Sequence, residues 1–358
     1  MPAPSCKRKK ILYKYRPSDT LIGNQLRTPL PFCRWSQRKV FSMNGINYFD
    51  ASDFSLDETL LKKKGRKIYV VFSTCGTREA DLIYDKIHLL RREAGSLIDK
   101  IFLSHRRIGS EIEPTESRAR EADSGVEILI NNDIPVPDME DEKGKGSDMR
   151  RALYRINREF VNGTSRDDVI LVFLDADVLP EYFGSHFVTG LAGAVLSGYD
   201  FAKASFWREM GRVKKYVAQP LFSLIDHPKI EKLTGFAYPL SGEVAGTLAF
   251  FNSVNFWQIY GVETGINLDT CFHGRAVADV NLGLYDHNHQ PDINIQRMAF
   301  GIIRTFFIQM IDNGILSLED GATISDVFKA NYIDEKGERQ TFSFRLSEKK
   351  YPPLKNLF

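Results

Sequence analysis

Two carboxylates one residue apart mark where this chain could do chemistry. Asp175-Ala176-Asp177 follows Val169 to Leu174, an unbroken and mostly branched apolar run. Such a run reads as a strand buried on both faces, in the middle of a parallel sheet. Pro180 ends the element soon after. Open α/β sheets bind ligands outside the carboxyl ends of their strands. Two acids placed there suit a hard divalent cation carrying phosphates. For the tripeptide alone, a solvated Asp-x-Asp turn is the plainer alternative. A phosphatase with Asp-x-Asp after a strand would want Gly-Thr or Gly-Val next, and Val178-Leu179 argues against it.

Candidate cations sit elsewhere in the chain. Lys145 lies in Gly144-Lys145-Gly146, ahead of a helix with Met149, Leu153, Ile156 and Phe160 on one face. Free backbone N–H groups and a flexible cation at a helix start suit phosphate. The spacing is not that of a Walker loop; a flexible basic loop is the bland alternative. Arg212 opens a helix expected to run to about residue 225. A cation there opposes the helix dipole, which makes more sense with an anion beside it. Glu243 ends the tight loop that starts at Tyr238, and Glu263 opens a helix. Either acid could be a site group or only a cap in a first helical turn. His287 and His289 follow Asp286 after a strand. At i and i+2 on an extended segment they share a side, which suggests a site.

The elements that must position these groups alternate strand and helix. Strands are expected at Ile68 to Phe72, Ile98 to Leu103, Val126 to Ile130, Val169 to Leu174, Phe201 to Phe206 (carrying Lys203) and Ala276 to Leu284. Helical spacing of Leu82, Ile83, Ile87 and Leu90, a short polar helix within 113–125, a small-residue helix from Phe187 to Leu196 and a long helix from Ile293 to Ile311 fall between or after them. That alternation predicts a mostly parallel sheet with right-handed crossovers. Residues 1–66 read as an irregular extension, aromatic and proline-containing, and 321–358 as a charged tail. Between them the chain reads as two α/β halves, 67–180 ending in the Asp-x-Asp and 181–320 following it.

Composition excludes little. The chain has 358 residues, 43% hydrophobic and 26% charged, with net charge +2. That is ordinary globular usage and offers no argument for nucleic acid or membrane as a partner. The four cysteines are scattered without a C-x-x-C pair, which fits a reducing cytosol better than a zinc site or disulfides. No apolar h-region follows the basic Lys7 to Lys10 cluster, so neither a signal peptide nor a membrane span is expected.

Six motifs in order resemble the retaining GT-A glycosyltransferases that make glucosyl-3-phosphoglycerate, with the mannosyl-3-phosphoglycerate synthases close behind. They are Gly144-Lys145-Gly146; Asp175-Ala176-Asp177; Gly211-Arg212-Val213 with Ala218-Gln219-Pro220-Leu221; Pro239-Leu240-Ser241-Gly242-Glu243; Tyr260-Gly261-Val262-Glu263-Thr264-Gly265; and Val280-Asn281-Leu282-Gly283 with His287 and Pro291. The resemblance spans about Ile68 to Phe307. It implies a GT-A fold, a Rossmann-like and mostly parallel sheet flanked by helices, with a C-terminal acceptor-binding part. It also implies hexosyl transfer from UDP- or GDP-glucose (or mannose) to 3-phosphoglycerate with Mg²⁺ or Mn²⁺, in a cytoplasmic homodimer whose product serves compatible-solute synthesis.

Residue by residue, the resemblance implies that Asp177 and His287 ligate the metal and that Asp175, beside Ala176, holds the nucleotide. Lys145 contacts the nucleotide sugar, and Ser73, Thr74 and Glu79 belong to the donor loop. The Leu240 backbone and the Gly242-Glu243 loop face the donor sugar, and Glu263 binds its hydroxyls. Gly211 and Arg212 hold the acceptor; Lys214, where the family has Thr, would add a cation for it, and His289 is a further acceptor candidate. The resemblance implies retained configuration; front-face displacement is the preferred route to it, and double displacement, with Glu243 or Glu263 as the weaker nucleophile candidates, is the alternative. The chain departs from the family in its first loop (Ser73 to Glu79), in its second (Ser104 to Gly109), at Lys214 and in His287-Asn288-His289-Gln290-Pro291. Loss of acids from the first loop and the gain of Arg106 and Arg107 in the second predict relaxed base selectivity, with UDP- and GDP-sugars used within about tenfold.

Overall fold

The structure, a computed structural model, describes residues 41–208, 211–286 and 292–358. In chain order the first elements are β1 (Phe41–Met43), β2 (Ile46–Asp50), α1 (Leu56–Lys63), β3 (Lys67–Cys75), α2 (Ala80–Ala94), β4 (Lys100–Arg106), α3 (Pro114–Ala122) and β5 (Glu127–Ile130). Then come α4 (Lys145–Glu159), β6 (Val169–Asp175), α5 (His186–Leu196) and β7 (Phe201–Trp207). A π-helical turn (Lys214–Ala218) runs into α6 (Gln219–Phe222), followed by β8 (Val244–Thr247), α7 (Leu248–Ser253), β9 (Phe256–Trp257), α8 (Val262–Phe272) and β10 (Val277–Leu284). The chain closes with α9 (Asp292–Asp312), β11 (Val327–Ile333), β12 (Arg339–Arg345) and β13 (Lys350–Tyr351).

Nine strands form one sheet in the order β1-β2-β10-β7-β8-β6-β3-β4-β5. The run before Asp175 is β6, paired with β3 on one side and β8 on the other. Its side chains alternate between two cores: Ile170, Val172 and Leu174 join Ile83, Ile87 and Leu191, while Val169, Leu171 and Phe173 join Met149, Phe250 and Ile266. Burial of both faces is why the strand reads as a continuous apolar run rather than an alternating one.

One strand runs against the rest of this region. β8 is antiparallel to both β6 and β7, with Val244 opposite Phe173 and Lys203. Its N-terminal end therefore lies where β6 and β7 end. That reversal delivers Glu243, immediately before β8, to the carboxyl-end edge of the sheet beside Asp175.

Several expectations need correction. Residues 41–63 are not irregular: they form β1, β2 and α1, and β2 pairs in parallel with β10. The partner lies some 230 residues downstream, so no local pattern announced it. Residues 1–40 lie outside the described residues. The tail is not featureless either. β11 and β12 make an antiparallel hairpin, and β13 pairs with β9. The helix expected from 211 to about 225 is present from 212 to 222, but its middle, Lys214–Ala218, is π-helical rather than α-helical. Pro220, in the first turn of α6, has no N–H to extend a regular ladder.

Candidate active site

The predicted carboxylates meet their predicted cation at the sheet's carboxyl edge. Lys145 Nζ lies 2.6 Å from Asp175 Oδ1 and 2.9 Å from Glu263 Oε1. Burial pushes the Lys145 ammonium down, but these two carboxylates more than offset it and hold it well above the ordinary lysine value. Three elements supply the trio: β6 ends at Asp175, while α4 and α8 begin at Lys145 and Val262. The close approach depends on glycines. A Cβ on Gly146 would sit 1.7 Å from the Trp257 carbonyl oxygen, so only glycine lets α4 start against β9. A Cβ on Gly242 would sit 2.2 Å from Asp175 Oδ2 and 2.3 Å from Lys145 Nζ.

Glu243 is fully buried beside this cluster. Ser241 Oγ lies 2.8 Å from its Oε2 and Tyr285 Oη 2.8 Å from its Oε1. Burial, with the Asp175 charge behind it, raises the Glu243 carboxyl to about 7. Burial and then the Glu243 charge push the Tyr285 hydroxyl well above its usual value. Lys203, buried on β7, donates to the Ser241 carbonyl at 2.9 Å, and burial lowers its ammonium to about 8. Glu243 is therefore no helix cap: it is a buried carboxylate held by two hydroxyls.

Two cavities open on either side of Asp175. The larger, 460 Å³, is lined by Ser73, Thr74, Glu79, Arg106, Lys145 and Asp177 among others. The smaller, 130 Å³, is lined by Arg208, Gly211, Arg212 and Lys214 together with Gly242 and Glu243 among others. Each expected donor residue except Glu263 and Gly242 thus lines the larger cavity, and those two adjoin it through Lys145. Gly211, Arg212 and Lys214 come together in the smaller. Lys214 Nζ lies 4.5 Å from the centre of the Tyr238 ring. Burial, then Lys215, lowers the Lys214 ammonium. His287 and His289 lie outside the described residues. The Leu179 amide donates to the carbonyl of Asp286, the residue before His287, at 3.1 Å.

The second loop behaves differently from expectation. Arg106 is buried and donates to Asp148 at 3.0 and 2.5 Å. Arg107 makes two 2.7 Å bonds to Glu116. Both guanidinium groups are paired with the protein's own carboxylates, although Arg106 also lines the larger cavity and its Nη1 is buried without a hydrogen-bond partner.

Among the described residues no three His, Cys, Asp or Glu side chains gather closely enough to hold a metal ion, but Glu79, Asp175 and Asp177 line one cavity and offer the oxygen ligands that a hard divalent cation takes. Glu79 Oε2 is buried without a hydrogen-bond partner. Burial first and the Asp177 charge second raise the Glu79 carboxyl. Carboxylate oxygens that repel one another in a cleft suit Mg²⁺ or Mn²⁺ between them. Sequence reading missed Lys86 and Tyr285. The signal for Lys86 was a lysine on the apolar face of α2; Tyr285 carried none.

No family model matches the chain. Glucosyl-3-phosphoglycerate synthase of Petrotoga mobilis is 30% identical over 227 residues, 59% of this chain and 65% of that protein. The chain thus spans just under two thirds of that relative's length. A crystal structure of glucosyl-3-phosphoglycerate synthase from Mycobacterium tuberculosis, in complex with Mn²⁺, UDP and phosphoglyceric acid, is similar at TM-score 0.68 and 26% identity. The match covers 85% of this chain and 96% of that one. Mannosyl-3-phosphoglycerate synthase from Rubrobacter xylanophilus is similar at TM-score 0.71 and 26% identity, over 87% and 96% of the two chains. Fold, motif order and these likenesses converge: the chain has the GT-A fold and is similar to the glucosyl-3-phosphoglycerate and mannosyl-3-phosphoglycerate synthases.

Proposed function

We propose that this protein transfers glucose from UDP-glucose to 3-phosphoglycerate with retention of configuration and with Mg²⁺ or Mn²⁺ as cofactor. The observation that carries this reading is the pair of cavities meeting at Asp175. One has carboxylates and a lysine suited to a metal-bound diphosphate; the other has cations suited to an anionic acceptor. The relatives' complexes with Mn²⁺, UDP and phosphoglyceric acid support the same pairing of ligands. UDP is the expected base, and GDP-glucose and GDP-mannose are the competing donors. The reading also carries a division of labour, with donor groups on elements up to Pro180 and acceptor groups after it. A cytoplasmic homodimer is part of the same proposal.

Asp177 would hold the metal, with His287 as its expected second protein ligand. When bound, such an ion acts as a Lewis acid on the leaving diphosphate. Asp175, Lys145 and Glu263 fix the nucleotide sugar from three elements. Gly242 leaves room for the donor against Asp175, and the Leu240 backbone and Glu243 wall the sugar. Arg212 and Lys214 orient the acceptor so that its hydroxyl meets the anomeric carbon on the leaving-group face; positioning of this kind supplies several kcal/mol. Glu243, bonded by Ser241 and Tyr285, serves better as a fixed wall than as a nucleophile.

Replacing Arg212 tests the acceptor assignment. Arg212→Ala should raise the KM for 3-phosphoglycerate by the value of a charge-assisted contact, ~1.5–3 kcal/mol, and leave the donor KM nearly unchanged. Equal effects on both substrates would remove Arg212 from the acceptor site.

A further inference from the structure

α2 turns a lysine toward the core. Lys86 lies on the same face as Ile83, Ile87 and Leu90 and is 1% exposed. A cation taken out of water needs all its donors satisfied. Its ammonium donates to the carbonyl of Ala176 at 3.0 Å and to that of Val178 at 2.6 Å. The Phe183 ring, centred 5.5 Å away, provides a cation–π contact. The two carbonyls flank Asp177. One ammonium therefore anchors the peptide just before Asp177 and the peptide one residue beyond it. The far end of the same turn is tied by the Leu179 amide to Asp286.

We propose that Lys86 is a positioning residue, which holds the turn bearing Asp177 in the shape a divalent cation needs before the cation arrives. This rests on the reading of Asp177 as a metal ligand. A lysine buried only for packing and a lysine that shapes the turn make opposite predictions. By charge alone, a cation near a metal site repels the metal, so its removal should tighten metal binding. If the ammonium shapes the ligand turn, its removal should weaken binding although a repulsive charge has gone. The two bonds of the Lys86 ammonium go to backbone carbonyls, so its link to the turn is through the backbone that carries Asp177.

The test is Mn²⁺ binding, read from the electron paramagnetic resonance of free Mn²⁺, on full-length protein with and without UDP. Lys86→Met, folded by circular dichroism, should bind Mn²⁺ at least tenfold more weakly than wild type. Its transfer activity should recover at raised Mn²⁺, an increase in the metal requirement with kcat largely retained. Equal or tighter Mn²⁺ binding by folded Lys86→Met would overturn the proposal and leave the proposed function standing. Wild-type protein that binds no Mn²⁺, with UDP or without, would overturn both. Should Lys86→Met not fold, hydrogen exchange of wild type decides. Amides of residues 176–179 protected without metal, and unchanged by Mn²⁺, support a preformed turn; fast exchange until Mn²⁺ is added contradicts it.

Discussion

At the scale of single residues, Glu243 offers a test through pH. Its folded value of about 7 lies above the ordinary carboxyl value because burial and Asp175 disfavour the charged form. Between those two values the folded protein binds a proton that the unfolded chain has released. The carboxyl therefore lowers stability as pH rises from about 4.5 to 7, by on the order of 1–3 kcal/mol in total. Glu243→Gln cannot ionise and should escape that loss. Melting temperatures at pH 5 and pH 8 should show the variant gaining on wild type at the higher pH; a constant difference would mean that Glu243 is charged in the folded state throughout. Gly242 offers a second test at this scale. Gly242→Ala forces a methyl group against Asp175 and Lys145. A displacement of about 1 Å in a donor-binding group can cost on the order of a hundredfold in kcat/KM, so donor kcat/KM should fall by that order with little change in melting temperature.

At the scale of elements, the start of α4 is the joint that sets Lys145 in place. Gly146→Ala would drive Cβ into the Trp257 carbonyl on β9. Overpacking against backbone should cost about 2–3 kcal/mol, seen as a lowered melting temperature together with weaker donor binding. Strand and helix identities between 67 and 312 were largely legible because each carries its own periodicity. β6 could be read from six apolar residues, and the Lys145 helix from Met149, Leu153 and Ile156. What escaped were elements whose reason lies elsewhere in the chain. β2 exists because β10 offers it an edge. The four-residue β8 exists because β6 and β7 leave a slot between them. Lys203 was legible as a lysine on a strand, but its bond to the Ser241 carbonyl was not, since that requires β7 and the 238–243 loop to be adjacent.

At the scale of the whole molecule, the sheet converts distant sequence into one edge. Asp175, Glu243 and Tyr285 come from the ends or beginnings of β6, β8 and β10, and α4 and α8 bring Lys145 and Glu263 to them. Candidate site residues could be named from the sequence by resemblance, because six motifs kept their order. Their mutual engagement could not. Arg106 and Arg107 show this most clearly: as sequence they are added cations at a nucleotide loop, and in the fold they are neutralised by Asp148 and Glu116. Arg106 keeps its place in the lining of the larger cavity, but its pairing with Asp148 means that its charge is not simply added to that cavity.

The most direct measurement incubates purified protein with 3-phosphoglycerate and, in parallel, UDP-glucose, GDP-glucose or GDP-mannose, with Mn²⁺ and with EDTA. The anionic product is followed by mass spectrometry. The account predicts glucosyl-3-phosphoglycerate from UDP-glucose and Mn²⁺, with kcat/KM for UDP-glucose above that for either GDP-sugar, and its loss with EDTA. Absence of product from all three donors, or full transfer in EDTA, would contradict it.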